Sequence, residues 1–201
     1  FPFETVPPAK LQAFIGQDSP FFLVYASNSP HLPWNEGDAA SYDPQSFKIP
    51  PYMYDNAETR AALQNYYAEI TDFDRELGEL DKIIADAGKK QDTIFLYTSE
   101  QGAQFPFGKW TCYEVGLHVG FVMRWPGVIE AGRTTDAMVQ YVDVLPTLLE
   151  LCEIDCPTGL DGSSFAQVVL GEKETHNDLV YGVHTTRGII NGSQSYPIRS
   201  I

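Results

Sequence analysis

The stretch Asp92-Thr-Ile-Phe-Leu-Tyr-Thr-Ser-Glu-Gln-Gly102 predicts a buried strand that ends in polar residues. Its apolar part, residues 93–98, is short and rich in β-branched and aromatic side chains, which is typical of such a strand. Ligands in open α/β sheets bind beyond the carboxyl ends of the strands. Glu100 and Gln101 stand at that end, and Gly102 lets the chain turn away without a Cβ clash.

The residues at this strand end are suited to bind a cation and an anion together. A carboxylate and an amide side by side can both turn toward one hard cation, which prefers oxygen ligands. Lys109 follows in the loop Phe105-Pro-Phe-Gly-Lys109-Trp110 and can return a positive charge to the same place. The combination suits a sulfate or phosphate ester as substrate. The alternative interpretation is an ordinary loop after a strand.

The composition predicts one substantial core and excludes two classes of partner. The chain has 201 residues, of which 43% are hydrophobic and 20% charged, which is ordinary for a folded domain. Its net charge is −14, from 27 acidic and 13 basic residues. We therefore expect no nucleic-acid or anionic-membrane partner, because either needs a basic surface. No apolar run reaches membrane-spanning length, and the oligomeric state stays open.

The cysteines and the chain ends leave the compartment open. Cys152 and Cys156 are close enough in sequence to close a small disulfide loop, but a free buried pair is equally compatible, and Cys112 lies apart. No signal peptide opens the chain. The start at Phe1 and the end at 199–201, inside an apparent strand, predict a piece of a longer protein.

A second predicted strand end carries a histidine. The run Phe21-Phe-Leu-Val-Tyr-Ala26 predicts a buried strand, and Ser29-Pro-His31-Leu-Pro33-Trp34 follows it. A histidine between two prolines cannot lie inside a helix, so we expect His31 on a stiff loop at the strand's carboxyl end. Without further context, a histidine that only hydrogen-bonds backbone is the alternative. Residues 35–56 form a long loop, and loops of that length are often functional.

Residues 57–87 form the strongest helical segment, because apolar side chains recur at three- and four-residue intervals. We interpret its aromatic residues as core and its acids as a mostly solvated face, with Asp72 or Asp74 as a buried exception. The acids assigned to that face are Glu69, Asp72, Glu76, Glu79 and Asp81. A strand over 119–125 and a helix over 139–151 follow. Strands over 179–184 and 196–201 then begin a second subdomain.

The ordered set of motifs resembles the sulfatase family, of the alkaline-phosphatase-like superfamily. Segment 21–34 resembles the family's segment with a catalytic histidine. Segment 64–78 resembles its long helix, and segment 92–102 resembles its metal-binding strand end. The matching segments are 21–34, 64–78, 92–102, 108–116, 124–127 and 142–149. The resemblance runs from about residue 20 to the end of the chain and covers only the C-terminal portion of the family. The segments 99–109 and 180–200 look most like the heparan N-sulfatase (sulfamidase) branch.

The resemblance implies an α/β fold, an alkaline-phosphatase-like sandwich with a mixed, mostly parallel sheet flanked by helices. Residues 1–174 would form the C-terminal half of the catalytic domain. Residues 175–201 would begin a small antiparallel C-terminal subdomain. The chain would then be an incomplete part of the fold.

The resemblance also implies a bound Ca²⁺ and a formylglycine nucleophile made from Cys or Ser. Glu100 and Gln101 stand where the family has a metal-binding Asp and Asn. By the same match, Lys109 would contact the sulfate and the leaving-group oxygen. His31 would contact the bridging atom and protonate the leaving group.

Two further residues are candidates for supporting roles. His184 is a candidate substrate contact, with an ordinary polar cluster at a strand end as the alternative. Glu114 is a candidate buried carboxylate that holds the Lys109 loop. We interpret His118 as structural and His176 as a surface residue. Residues 191–193 fit an N-glycosylation sequon, a triplet that is frequent by chance.

The sequence departs from the family in its nucleophile. Nothing in the chain matches the Cys/Ser-x-Pro-x-Arg motif from which formylglycine is made, and the paired Asp residues of the family's first strand are missing. We therefore expect the nucleophile upstream of Phe1. We also expect the isolated chain to be inactive and to bind Ca²⁺ weakly.

The function predicted for the parent enzyme is hydrolysis of a sulfate ester or sulfamate, with a sulfated carbohydrate as partner. A phosphodiesterase or phosphonate hydrolase of the same superfamily is the nearest alternative, although Gln101 stands where such enzymes place a histidine. A non-catalytic glycan-binding relative is the alternative from another class. The resemblance implies a secreted, periplasmic or lysosomal location.

Overall fold

The computed structural model describes residues 6–184 and 197–201. The chain forms two compact units. The first unit consists of residues 1–93 and 103–109, and the second unit consists of residues 94–102 and 110–201. The domain boundary expected between residues 174 and 175 stays a prediction.

The first unit is built on one long helix. Helix α2 spans Ala57–Asp86, within one residue of the predicted bounds. It begins where the Asn56 side chain accepts a hydrogen bond from the backbone N–H of Thr59 at 2.8 Å, which satisfies a donor of the first turn. Helix α1, Pro8–Ile15, packs against α2. The buried apolar residues of the two helices are Leu11, Ile15, Leu63, Ala68, Leu80, Ile83 and Ile84.

The segment 21–26 is not the buried strand that its apolar run predicts. It pairs with no strand among residues 6–184 and 197–201. Phe22 and Val24 are 77% and 74% exposed, whereas Phe21 and Tyr25 are half-buried. In an extended chain, alternate side chains point to opposite faces. One face of this segment therefore packs against the protein, and the other face is exposed.

The long loop over 35–56 contains two short 3-10 helices, at Ala39–Ser41 and Pro44–Ser46. Arg60 of α2 holds this loop, because its Nη1 donates to the carbonyl oxygen of Pro44 at 2.6 Å. The predicted loop is therefore ordered by turns and by a contact with the long helix. A third 3-10 helix, Lys90–Asp92, ends this part of the chain.

The second unit contains the central strand of the sequence prediction. Strand β1, Phe95–Thr98, pairs antiparallel with β2, Phe121–Arg124. The predicted mostly parallel pairing is not found in the described part of the chain, where both strand pairs are antiparallel. A parallel pair needs a crossover from a preceding strand, and the segment 21–26 that would precede α2 in such a crossover forms no strand.

A buried aspartate organises the rest of the second unit. Asp143 is the last residue of the 3-10 helix Tyr141–Asp143 and directly precedes helix α4, Val144–Leu151. Its carboxylate accepts hydrogen bonds from the backbone N–H groups of Gln140 at 2.9 Å and Ser163 at 3.0 Å. These contacts bring the loop before helix α5, Ala166–Val169, back to the start of α4. Helix α3, Glu114–Leu117, precedes β2.

The last two strands form the antiparallel pair that the sequence predicts. Strand β3, Gly182–His184, pairs with β4, Ile198–Ser200, with Gly182 opposite Ser200. Tyr196, the sequon at 191–193 and the polar residues after His184 lie outside the described residues.

The cysteines and helices bear on two further expectations. Cys112, Cys152 and Cys156 are all free, and the last two are exposed rather than buried. None of the helices in residues 6–184 and 197–201 combines the length and apolar character needed to cross a membrane.

Candidate functional site

The turn after β1 is held tightly against α3. The Ser99 hydroxyl donates to the carbonyl oxygen of Gln101 at 2.9 Å. The backbone N–H of Gly102 donates to the carbonyl oxygen of Gly116 at 3.0 Å. A Cβ at position 102 would lie 1.9 Å from the carbonyl oxygen of Val115. Only glycine allows this close approach, so the predicted need for Gly102 has a steric cause.

Glu100 and Gln101 lie side by side at this turn. The Gln101 Nε2 donates to the Glu100 Oε2 at 3.2 Å, and the Gln101 Oε1 accepts from the backbone N–H of Trp110 at 3.2 Å. The Trp110 N–H fixes the amide orientation, because a rotated amide would put two donors face to face. Trp110 has a φ of +67°, a conformation that residues other than glycine seldom adopt. The amide oxygen is therefore held by a strained backbone position.

Tyr141 supports the same turn, a role that the sequence does not predict. Its hydroxyl donates to the carbonyl oxygen of Ser99 and lies 2.9 Å from the Thr98 Oγ1. It thereby fixes the last residue of β1 and the first residue of the turn. No spacing in the sequence connects Tyr141 to a strand end more than 40 positions earlier.

His31 lies on an ordered loop in the first unit. The Ser27 hydroxyl donates to the Glu76 Oε2 at 2.8 Å, and the backbone N–H of His31 donates to the carbonyl oxygen of Asn28 at 2.8 Å. The His31 Nδ1 lies 2.7 Å from the carbonyl oxygen of Leu32, so Nδ1 is the protonated donor. The side chain is exposed, and its Nε2 is left as the nitrogen that can exchange a proton.

The end of this loop is fixed by a buried carboxylate. Glu69 of α2 is 2% exposed, and its Oε1 accepts from the backbone N–H groups of Asn35 at 2.8 Å and Glu36 at 3.2 Å. The prediction that Glu69 belongs to a solvated face is wrong. The proposed buried exceptions are also wrong, since Asp74 is exposed and Asp72 is half-buried in an ion pair with Arg75.

A signal for the burial of Glu69 was present in the helix periodicity. Glu69 stands three residues after Tyr66 and four before Phe73. Positions three and four apart share one face of a helix, so Glu69 belongs to the same apolar face as these two rings. The charge of the Glu69 side chain favours solvent, whereas its position on the helix places it on the buried face.

Lys109 ends a rigid loop of the first unit. Its backbone N–H donates to the carbonyl oxygen of Ala103 at 2.8 Å, and that of Gly108 donates to Phe105 at 3.0 Å. Trp34 stacks on Phe105 with ring centroids 4.7 Å apart and planes 26° apart. This contact packs the loop that carries His31 against the loop that carries Lys109.

The surroundings of Tyr25, which precedes the His31 loop, raise the pKa of its phenol. Burial, followed by the carboxylates of Glu76 and Glu79, raises the pKa of Tyr25, and Arg75 opposes the shift. The same Glu76 accepts the Ser27 hydroxyl. Carboxylate charge is therefore concentrated where segment 21–27 meets α2.

The model of the sulfatase family matches residues 9–154 of the chain. The chain belongs to the sulfatase family. An ulvan-active sulfatase of Formosa agariphila is 30% identical over 204 residues, which cover 100% of this chain and 40% of that protein. This sulfatase chain therefore spans well under half the length of that curated relative.

Solved structures show the fold of this sulfatase chain. One, from work on the metabolism of multiple glycosaminoglycans by Bacteroides thetaiotaomicron, superposes with a TM-score of 0.77 and 21% identity, over 94% of this chain and 45% of the other. Another, in complex with its substrate D-glucosamine-2-N,6-O-disulfate, has a TM-score of 0.60 and 24% identity, over 70% and 30% of the two chains. The expected alkaline-phosphatase-like α/β fold is confirmed.

The Ca²⁺ expected of a sulfatase suits the donor atoms of Glu100 and Gln101, but the pair is not a complete site. A carboxylate and an amide oxygen are hard ligands, and Ca²⁺ takes roughly six to eight of them. Across residues 6–184 and 197–201, no group of three or more His, Cys, Asp or Glu side chains is placed to hold a metal. The assignment of Glu100 and Gln101 as ligands stays a prediction.

The other predicted residues of the sulfatase site have mixed outcomes. Glu114 is not a buried carboxylate, because its side chain is 82% exposed and pairs with the His118 Nδ1 at 2.7 Å; the two are neighbours on α3 and its end. His176 is not a surface residue. Its side chain is largely buried, and its Nε2 lies 3.5 Å from the Asp143 Oδ2. His184 ends β3 and is half-buried, and its substrate role stays a prediction.

Proposed function

We propose that this chain forms part of the active site of a sulfatase that hydrolyses a sulfate ester or sulfamate on a sulfated glycan. The observation that carries the proposal is the stacking of Trp34 on Phe105, because it packs the His31 loop against the Lys109 loop. Family membership supports the reaction class. The ulvan-active relative and the fold neighbour with a bound sulfated glucosamine support a glycan as substrate.

Lys109 is proposed to bind the sulfate. Hydrolysis breaks the bond between sulfur and the bridging oxygen or nitrogen, and negative charge is carried by the nonbridging oxygens throughout. A fixed ammonium group aimed at these oxygens stabilises the transition state without reorganisation. The hydrogen bonds that close the 103–109 loop fix the backbone of Lys109 before substrate arrives.

His31 is proposed to protonate the leaving group. The departing oxygen or nitrogen needs a proton as its bond to sulfur breaks, and an imidazolium group can supply it. The contact of Nδ1 with the Leu32 carbonyl oxygen assigns the transferred proton to Nε2. This contact also orients the ring, so the proton is held at a defined atom of an exposed side chain.

Glu100 and Gln101 are proposed to hold a Ca²⁺ with further ligands supplied from upstream. When bound, this ion supplies positive charge that stabilises sulfate oxygens. The formylglycine nucleophile is also proposed to lie upstream, so the chain by itself would be inactive and bind Ca²⁺ weakly. We keep the heparan N-sulfatase branch, a substrate contact by His184 and a secreted, periplasmic or lysosomal location as parts of the proposal.

The test compares this chain with a polypeptide extended upstream to include a Cys/Ser-x-Pro-x-Arg motif. We expect only the extended protein to release sulfate from D-glucosamine-2-N,6-O-disulfate. His31→Ala should lower its kcat by about 10²–10⁴-fold, and Lys109→Ala should raise KM as well as lower kcat. Preference for a phosphonate ester, or full activity of both variants, would contradict the proposal.

A further inference from the structure

Two exposed aromatic rings meet in the first unit, and one of them, Phe107, stands two residues before Lys109. Tyr52 and Phe107 are 41% and 46% exposed. Their centroids are 5.9 Å apart and their planes are at 88°, an edge-to-face arrangement. We call this pair the aromatic corner. Adjacent exposed apolar rings mark a binding surface more often than a scattered single residue does.

The backbone of Phe107 is held in an unfavourable conformation. Its φ is +63°, a region that costs a residue with a Cβ roughly 1–2 kcal/mol. The loop enforces it, since the next residue, Gly108, is so close to Ala103 that a Cβ would lie 2.1 Å from the carbonyl oxygen. A strained position that carries a half-exposed aromatic ring instead of glycine is an outlier of the kind found at functional sites.

Phe107 of the aromatic corner and Lys109 lie on the same hydrogen-bonded loop and offer two complementary chemistries. Phe107 stands two residues before Lys109, so their Cα atoms are at most about 7.6 Å apart. The C–H bonds on one face of a sugar ring are polarised by its oxygens, and an aromatic face is electron-rich. A ring face can thus pack on the corner while an anionic substituent of the same sugar reaches the ammonium group.

We infer that Tyr52 and Phe107 form a sugar-binding subsite that stacks on the ring bearing the sulfate. The inference rests on the proposed function, in which Lys109 binds that sulfate. The positive charge of Lys109 favours an anionic sugar over a neutral one, and the two perpendicular rings favour a ring with an apolar face. The subsite would therefore contribute to sugar recognition, while Lys109 recognises the sulfate itself.

The test measures binding of two probes by NMR titration to the polypeptide extended upstream, with the Cys or Ser of its nucleophile motif replaced by Ala so that the sugar is not hydrolysed. The probes are D-glucosamine-2-N,6-O-disulfate and inorganic sulfate, so that sugar recognition is separated from sulfate recognition. The variants are Tyr52→Ala and Phe107→Asn, the latter because Asn tolerates positive φ and avoids a folding defect. Tyr54→Ala is the matched control, since Tyr54 lies in the same loop and is 80% exposed.

We expect both corner variants to weaken sugar binding about three- to ten-fold and to leave inorganic sulfate binding unchanged. Tyr54→Ala should change neither. Sugar affinity that is the same in the corner variants as in the extended protein without them, or no sugar binding by that extended protein, overturns the subsite. An affinity for inorganic sulfate that Lys109→Ala leaves unchanged contradicts the proposed function instead, so the two failures are distinguishable.

Discussion

Glu69, on the long helix, accepts a hydrogen bond from the backbone N–H of Asn35 at 2.8 Å, four residues after His31. The same oxygen accepts from Glu36 at 3.2 Å. A buried carboxylate is costly unless hydrogen-bonded, and two backbone donors meet that need here. The contact therefore couples the fold of α2 to the placement of the His31 loop.

Replacing Glu69 should destabilise the first unit and release this loop. Glu69→Ala leaves two backbone donors without their acceptor, and we expect a loss of about 2–4 kcal/mol in the free energy of unfolding. Glu69→Gln keeps a side-chain oxygen that can accept both bonds, so its loss should be smaller. Urea unfolding followed by tryptophan fluorescence measures both.

The control for this series is Asp74→Ala, which removes an exposed acid from the same helix. It should change the free energy of unfolding by no more than about 0.5 kcal/mol. If Glu69→Ala behaves like Asp74→Ala, the carboxylate does not fix the loop.

The sequence predicted the local elements well where one pattern dominates. Helix α2 has a sustained period and a cap at Asn56, so its bounds were predicted to within one residue. The segment 21–26 has the same apolar character as β1, yet only β1 is paired. The apolar residues of a segment indicate that it can form a buried strand. Whether it pairs with another strand depends on chain segments that are distant in sequence.

The candidate site shows the same limit. Glu100 and Gln101 were predicted to lie together because they are adjacent, and their contact supports this. The sequence does not predict the role of Tyr141, because its partner Ser99 lies at a distant strand end. Glu114 is a candidate buried carboxylate from the sequence, but on a four-residue helix it is exposed and pairs with His118.

Two glycines should respond in opposite directions to alanine. Gly102→Ala puts a Cβ 1.9 Å from the Val115 carbonyl oxygen, and we expect a loss of about 1–3 kcal/mol because the turn must shift. Gly78→Ala meets no atom within 4 Å inside α2, and we expect a gain of roughly 0.5–1 kcal/mol from higher helix propensity. Thermal unfolding of both variants checks the pair. A stable Gly102→Ala protein would show that the turn has room for a side chain.

Removing one hydroxyl should loosen the turn at the candidate metal site. Tyr141→Phe deletes the bond to the Ser99 carbonyl oxygen and the contact with Thr98. We expect about 1 kcal/mol less stability and, if the turn supplies Ca²⁺ ligands, a several-fold lower Ca²⁺ affinity in the extended protein. Calorimetric titration with Ca²⁺ measures the affinity. Tyr181→Phe is the matched control, because Tyr181 is 60% exposed and the hydroxyl that contacts Ser99 and Thr98 is that of Tyr141. Equal effects of the two variants would contradict the positioning role.

The phenol of Tyr25 should titrate above its ordinary range. Burial and then the Glu76 and Glu79 carboxylates raise the pKa of Tyr25, because each disfavours the phenolate. The folded pKa therefore exceeds the unfolded value of about 10, so the stability linked to Tyr25 is fully present below that pH and is lost as the pH rises through the folded pKa. Ultraviolet titration of the phenolate band, with Tyr25→Phe to assign the signal, measures the shift.

Glu76→Gln separates the charge from the burial in this titration. It removes the carboxylate that interacts with Tyr25 and with the Ser27 hydroxyl, so the pKa of Tyr25 should fall toward its ordinary value without reaching it. Glu58→Gln, at the other end of α2, should leave that pKa where it is. A Tyr25 signal that is identical in the two variants would mean that burial and Glu79 raise the pKa of Tyr25 without Glu76 and that Glu76 acts only on Ser27.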